Sequence, residues 1–143
     1  MSVATILKSK GMATITATTH QRVSELIKTM RKWRIGAVII SNDGVHVEGI
    51  VTERDVMHRL DEDGLSFLDK PALEVMTSHV RTCTMETPII EAMQQMTNHR
   101  FRHMPVIHQG RLAGMISIGD VVKHRLEELE FETTHLKRYI AGY

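Results

Sequence analysis

One phrase, used twice, constrains this chain more than anything else in it. Gly49-Ile50-Val51-Thr52-Glu53-Arg54-Asp55-Val56 returns 65 residues later as Gly114-Met115-Ile116-Ser117-Ile118-Gly119-Asp120-Val121. A glycine, a hydroxyl and an aspartate recur at one spacing, each time closing an apolar, strand-like run and opening a helical one. The flanks repeat as well. Val23, Leu26, Ile27 and Met30 form one apolar helix face, and Ile89, Ala92, Met93 and Met96 repeat it at an offset of 66. Thr16/Thr82, Thr18/Thr84, Glu25/Glu91, Met30/Met96 and Arg34/Arg100 are identical at that offset. One residue fewer separates Gly110 from Gly114 than Gly44 from Gly49, a length change that a hairpin loop tolerates. The chain therefore reads as two tandem copies of one α+β unit.

Within each copy the order is β-α-β-β-α. A short helix is predicted from Ile6 to Met12, a β-branched strand over residues 13–18, and an amphipathic helix from Val23 to the basic Arg31-Lys32. Ile35 to Ile40 is a continuous apolar run suited to a strand covered on both faces. Asn42-Asp43-Gly44 turns the chain, Val47 to Val51 makes the next strand, and a helix runs from Asp55 to about Leu60. Asp61-Glu62-Asp63-Gly64 is expected to break that helix, with a plain connection up to Pro71. The second pass has a short helix over Ala72 to Met76, a strand near Val80 to Thr84, and a helix with Thr87 as N-cap and Pro88 at its first position. The divisions are residues 5–62 for the first repeat, 63–71 for a linker, 72–127 for the second repeat and 128–143 for a C-terminal helical extension. Val122, Leu126, Leu129, Thr133, Leu136 and Ile140 lie three or four apart, which predicts a long amphipathic helix. It packs on its own repeat or contributes to a homodimer, and the sequence leaves both open.

Composition removes several classes of function. Lysine plus arginine (18) nearly cancels aspartate plus glutamate (17), so no strong field draws the chain to nucleic acid or an anionic membrane. Cys83 is the one cysteine, which excludes an intramolecular disulfide and a multi-cysteine metal site. The first residues lack a signal-peptide core and no run approaches about 18 apolar residues, so the expectation is a soluble cytoplasmic protein. His99-x-x-x-His103 has metal-ligand spacing but no third ligand, and Arg31-Lys32-Trp33-Arg34 reads as a solvated helix end. Glycine-rich phosphate loops, nucleophile elbows and paired-carboxylate motifs are missing, so no catalytic residue and no metal ligand is assigned, and the chain is read as a non-enzyme.

The repeated corner admits two readings. Thr52-x-x-Asp55 and Ser117-x-x-Asp120 match a capping box, which needs no ligand. Three features point past it: the glycine before each corner lets something approach the backbone, Gly119 strips bulk from the first helical turn, and Arg100-Phe101-Arg102-His103-Met104-Pro105 leads cationic and titratable groups into a neighbouring strand. Aspartate suits a ribose diol, while the hydroxyl, helix N–H groups and Arg or His suit phosphate.

On these residues the chain resembles a tandem pair of CBS (cystathionine β-synthase) domains, of the small stand-alone bacterial type. The match runs from Thr5 to Glu127 and rests on the doubled β-α-β-β-α unit, the two copies of the phrase, and Arg102-His103-Met104-Pro105-Val106-Ile107. The resemblance implies a pseudo-twofold α+β pair whose central cleft binds AMP, ADP, ATP, NAD or S-adenosylmethionine, often as a disc-like homodimer that signals to another protein, as in energy sensing. Carried over residue by residue, it gives Asp120 and Asp55 the ribose, Ser117 and Thr52 the neighbourhood of phosphate, and Arg102 and His103 the phosphate itself. Thr18 and Thr84, with the backbone of Thr16 and Thr82, match the segment lining the adenine pocket, and Met104, Pro105 and Gly119 belong to the same surface. The copies differ where the second has Arg102-His103 and the first has Gly36-Ala37. Arg34, Arg54 or Lys10 are the substitutes at the first corner, which is expected to be weaker or differently selective. Two other classes remain: a structural or interaction subunit whose corners are only caps, and a nucleotide hydrolase without a familiar motif.

Overall fold

A computed structural model describes residues 1–142; Tyr143, the end of the expected C-terminal extension, lies outside the described residues. In chain order the elements are α1 (Val3–Lys10), β1 (Thr16–Ala17), α2 (Val23–Trp33), β2 (Ala37–Ile40), β3 (Gly49–Thr52), α3 (Glu53–Asp63), a 3-10 turn (Leu65–Asp69), α4 (Ala72–Val75), β4 (Cys83–Thr84), α5 (Ile89–His99), β5 (His103–His108), β6 (Arg111–Ser117) and α6 (Ile118–Ile140). The expected mixed α+β architecture of doubled units with a long last helix is what forms. No helix among the described residues is long and apolar enough to cross a membrane.

The chain condenses into two compact units. One holds Ala13–Arg81 with Gln109–Leu112; the other holds Met1–Met12, Thr82–His108 and the chain from Ala113 onward. In the first unit β1 pairs parallel with β2, Thr16 opposite Ile39, and β2 pairs antiparallel with β3, Ala37 opposite Thr52. The second unit repeats the arrangement as β4, β5 and β6, with Cys83 opposite Val106 in parallel register. Each sheet is backed by a core. Val23, Leu26 and Met30 of α2 join Val38, Ile40 and Val51 in one; Ile89, Ala92 and Met96 of α5 join Met104, Val106 and Ile116 in the other. These are the helix faces that repeat in the sequence, buried as an amphipathic stripe must be. All four residues of β2 are buried, as its unbroken apolar run requires.

The repeats exchange their opening helices. Val3, Ile6 and Leu7 of α1 lie in the core of the second repeat, where the N–H groups of Val3 and Ala4 donate to Thr87 and Met85 carbonyls, both at 2.9 Å. Ala72 and Val75 of α4 lie in the core of the first, with Ala72 N–H donating to Gln21 O at 2.7 Å. Neither unit is therefore a continuous stretch of chain.

Three local expectations need correction. The acidic Asp61-Glu62-Asp63 does not stop α3, because its side chains stay solvated; the helix ends only at Gly64, whose φ of 73° takes it out of helical space. The connection after it is not structureless: Phe67 in the 3-10 turn is 1% exposed, sits in the first core and has Arg59 over its ring at 5.6 Å. One buried aromatic in a polar stretch leaves no periodicity to read. Finally, Pro88 rather than Thr87 caps α5, and Thr87 Oγ1 accepts instead from the N–H of Thr84 at 3.0 Å.

Candidate functional site

The sequence-selected residues divide between the two units. Thr16, Thr18, Gly36, Ala37, Thr52, Arg54 and Asp55 fall in the first-repeat unit; Thr82, Thr84, Arg102, His103, Met104, Pro105, Ser117, Gly119 and Asp120 fall in the second. At each corner an extended residue hands over to a helix, and the capping box closes completely. Ser117 N–H donates to Asp120 Oδ2 at 2.9 Å while Asp120 N–H donates to Ser117 Oγ at 3.2 Å. Thr52 and Asp55 make the same pair at 3.0 and 3.2 Å. The preceding strand is tied in as well: Ile118 N–H donates to Arg102 O at 2.8 Å, and Glu53 N–H to Gly36 O at 3.0 Å. Gly36-Ala37 thus stands to its corner as Arg102-His103 stands to the other.

Most of the N–H groups expected to face a ligand are consequently spoken for. The first and third of each helix are bonded, and among the described residues the second, on Gly119 or Arg54, is left open. A Cβ built on Gly119 would meet nothing closer than Ser117 Oγ at 3.6 Å, so there is open space beside its Cα. The carboxylates are half used in the same way. Oδ2 of each aspartate is bonded to the backbone, and Oδ1 accepts nothing among the described residues.

The glycines opening the two phrases serve a purpose other than ligand approach. A Cβ on Gly114 would stand 2.9 Å from Leu7 Cδ2, and one on Gly49 would stand 2.5 Å from Met76 Sδ and 2.9 Å from Thr77 O. What comes close to the backbone is the exchanged helix, α1 over one corner and the end of α4 over the other.

The exchange also brings in a residue that the sequence assigned to the wrong corner. Lys10, which ends α1, is one of the three substitutes that the sequence offers at the first corner. Its Nζ donates to Asp120 Oδ2 at 2.8 Å and to Met115 O at 3.0 Å, so it is committed to the second corner instead. Burial pushes the Asp120 carboxyl up, but the hydrogen bond from Lys10, those within the capping box and the ammonium charge together hold it below its usual range. The helix exchange that places Lys10 there is a long-range fact with no local signal.

Other candidates have a different status. Arg102 and Arg54 are exposed, while Met104 and Ala37 are wholly inside the cores and take part in any site only as its floor. Thr18 N–H donates to Gln21 Oε1 at 2.9 Å, and Thr84 bonds Thr87; among the described residues neither threonine is hydrogen-bonded to a corner. Arg34 ends α2 in left-handed conformation, φ 52°. Cys83 is buried with Sγ 3.8 Å from Pro105 O, and burial, helped by Glu91, pushes its thiol up to about 12. A thiol that stays protonated at neutral pH is a packing residue, not a nucleophile.

With this geometry in view, comparison with known proteins defines the class. The family model described as the CBS domain matches twice, over residues 9–62 and 72–127. The chain is 34% identical over a 149-residue alignment to the mitochondrial CBS domain-containing protein CBSX3 of Arabidopsis thaliana, spanning 99% of this chain and 72% of that one. Among solved structures, a CBS-domain-containing protein of Agrobacterium tumefaciens is 40% identical with a TM-score of 0.84, covering 87% of this chain and 99% of its own. A CBS domain protein of Pyrobaculum aerophilum, solved in complex with AMP, is 24% identical with a TM-score of 0.79, covering 93% and 99%. The chain belongs to the CBS-domain family, as a tandem pair.

Proposed function

We propose that this chain is a non-catalytic regulatory module that binds an adenosine-containing ligand, AMP, ATP or NAD, and reports its presence to a partner protein. The observation that carries the reading is the Ser117–Asp120 corner: a half-buried carboxylate with Oδ1 open, beside an open helix N–H under a glycine, in the unit that also carries Arg102 and His103. In this reading Oδ1 of Asp120 takes the ribose diol, and the Gly119 N–H, Ser117, Arg102 and His103 face phosphate. Thr82 and Thr84, with Met104 and Pro105 beneath, border the adenine. The Asp55 corner, with Thr52, Arg54, Thr16, Thr18, Gly36 and Ala37, is a second site with a different preference. The AMP complex of the Pyrobaculum relative supports adenosine as the class. Any output requires the ligand to favour one arrangement or assembly over another.

Two completed capping boxes favour a second reading, in which the corners only terminate helices and the chain is a structural or interaction subunit. A thermal-shift panel with AMP, ATP, NAD, S-adenosylmethionine and adenosine separates the two. A ligand at 100 times its dissociation constant adds about 2.7 kcal/mol, several degrees for a chain of this size. No shift with any of the five leaves only the structural reading. Chromatography of the same mixtures addresses hydrolysis: phosphate release abolished by Asp120→Ala would make the chain an enzyme.

The exposed part of α6 supports a homodimer. Val121 and His124 are buried, so the first turns pack on the chain's own repeat as one of the two expectations had it. Beyond them Leu126, Leu129, Leu136 and Ile140 are 56, 41, 59 and 77% exposed at spacings of three, seven and four residues, with Thr133 between the second and third. That is the seam of a coiled coil, and a second copy of the same helix matches it.

A further inference from the structure

The structure assigns to Lys10 the charge selectivity of the Asp120 corner: it is the residue that admits a phosphorylated adenosine ligand there, where the otherwise similar Asp55 corner favours an uncharged or cationic one. This inference rests on the adenosine reading and goes on to say which ligand charge each corner takes.

The two corners are alike in strand, hydroxyl, capping box and open Oδ1, and they differ at the carboxylate. Asp120 is neutralised by the Lys10 ammonium at 2.8 Å, whereas Asp55 forms no ion pair among the described residues. By the repeat offset of 66, the residue equivalent to Lys10 is Met76. Met76 follows the last turn of α4 where Lys10 ends α1; the chain after Met76 bonds Ile50 backbone to backbone through Thr77 at 3.0 Å in both directions, whereas Lys10 uses its side-chain ammonium to reach the carbonyl of Met115, the counterpart of Ile50. One repeat thus has a cation on its corner carboxylate, while at the matching position the other has a thioether that packs against Gly49 and the first core.

That difference decides which ligands are tolerated. A ribose held on Oδ1 brings any 5′-phosphate within a few ångströms of the carboxylate, and an unpaired aspartate repels it. With Lys10 in place the local charge is zero before the ligand arrives. Lysine also has three donor hydrogens, of which two are used, and the side chain is 42% exposed, so the third can turn to a phosphate oxygen without leaving Asp120. Arg102 adds positive charge on the strand side of the same corner. In the first turn at the Asp55 corner, Arg54 is offset by the adjacent Glu53.

The test is isothermal titration of AMP and adenosine into the Asp55→Asn chain, which silences the first corner, compared with its Lys10→Met and Lys10→Arg versions. Lys10→Met is expected to weaken AMP about tenfold, the size of one charge-assisted hydrogen bond, and to leave adenosine within about twofold. Lys10→Arg is expected to keep AMP binding. Melting temperatures without ligand check folding and are expected to stay close together, because an ion pair this exposed contributes little. Losses equal for AMP and adenosine, or no loss at all, overturn the inference while leaving the adenosine reading intact. Failure of the wild-type chain to bind either ligand overturns both.

Discussion

Asp120 and Asp55 do the same mechanical work, but among the described residues only Asp120 carries an ion pair. Both close a capping box, so replacing either with alanine removes the acceptor for a backbone N–H and a favourable charge in the first helical turn. Each change is expected to cost a similar amount, about 1 kcal/mol, by chemical denaturation. Binding should separate them: Asp120→Ala is expected to weaken AMP several-fold more than Asp55→Ala, since only the Asp120 corner has Lys10, Arg102 and His103 at hand. Calorimetry showing equal losses would remove the asymmetry on which the proposed site rests. The substitutions therefore tell a cap from a binding carboxylate through two measurements on the same pair.

Among the elements, the exchanged helices explain the glycines that open the repeated phrase. At Gly49 a new Cβ meets a backbone oxygen, Thr77 O, at 2.9 Å and a methionine sulfur nearer still; at Gly114 it meets the end of a leucine side chain. Leucine can rotate and backbone cannot. Gly49→Ala is thus expected to destabilise by about 2 kcal/mol and Gly114→Ala by clearly less, read from urea midpoints. The reverse order would mean that α1, not α4, is the more rigid of the two. For α6, the exposed leucines predict that Leu129→Glu with Leu136→Glu converts a dimer to a monomer in sedimentation velocity without lowering the melting point of the units, whose cores do not include those residues. A wild-type chain that sediments as a monomer would end the coiled-coil reading of this helix.

At the scale of the molecule, the fold follows from duplication plus exchange. Each repeat alone supplies a three-stranded sheet and two longer helices, and each core is completed by a short helix from the other half of the sequence. The exchange ties the Asp120 corner, through Lys10, to the opening helix of the first repeat's sequence. The corresponding tie at the Asp55 corner passes through Met76 and Thr77, just after α4 in the second repeat's sequence. In the proposed reading, a ligand at the Asp120 corner would meet Lys10, which belongs by sequence to the other repeat, and so could bias one arrangement over another.

The sequence by itself determined the duplication, the α+β order, the buried face of each long helix and the two capped corners. All of these are periodic or short-range: a helix face repeats every three or four residues, and a capping box spans four. It also identified the family, because two copies of one phrase in register are specific. Only the tertiary structure decided what lies over each corner. Lys10 meets Asp120 across 110 positions of sequence, Leu7 and Met76 fill the space left by Gly114 and Gly49, and Phe67 turns a polar connection into core. Contacts at that separation leave no period and no motif, since they depend on which repeat receives each short helix. That choice belongs to the packing of the whole chain.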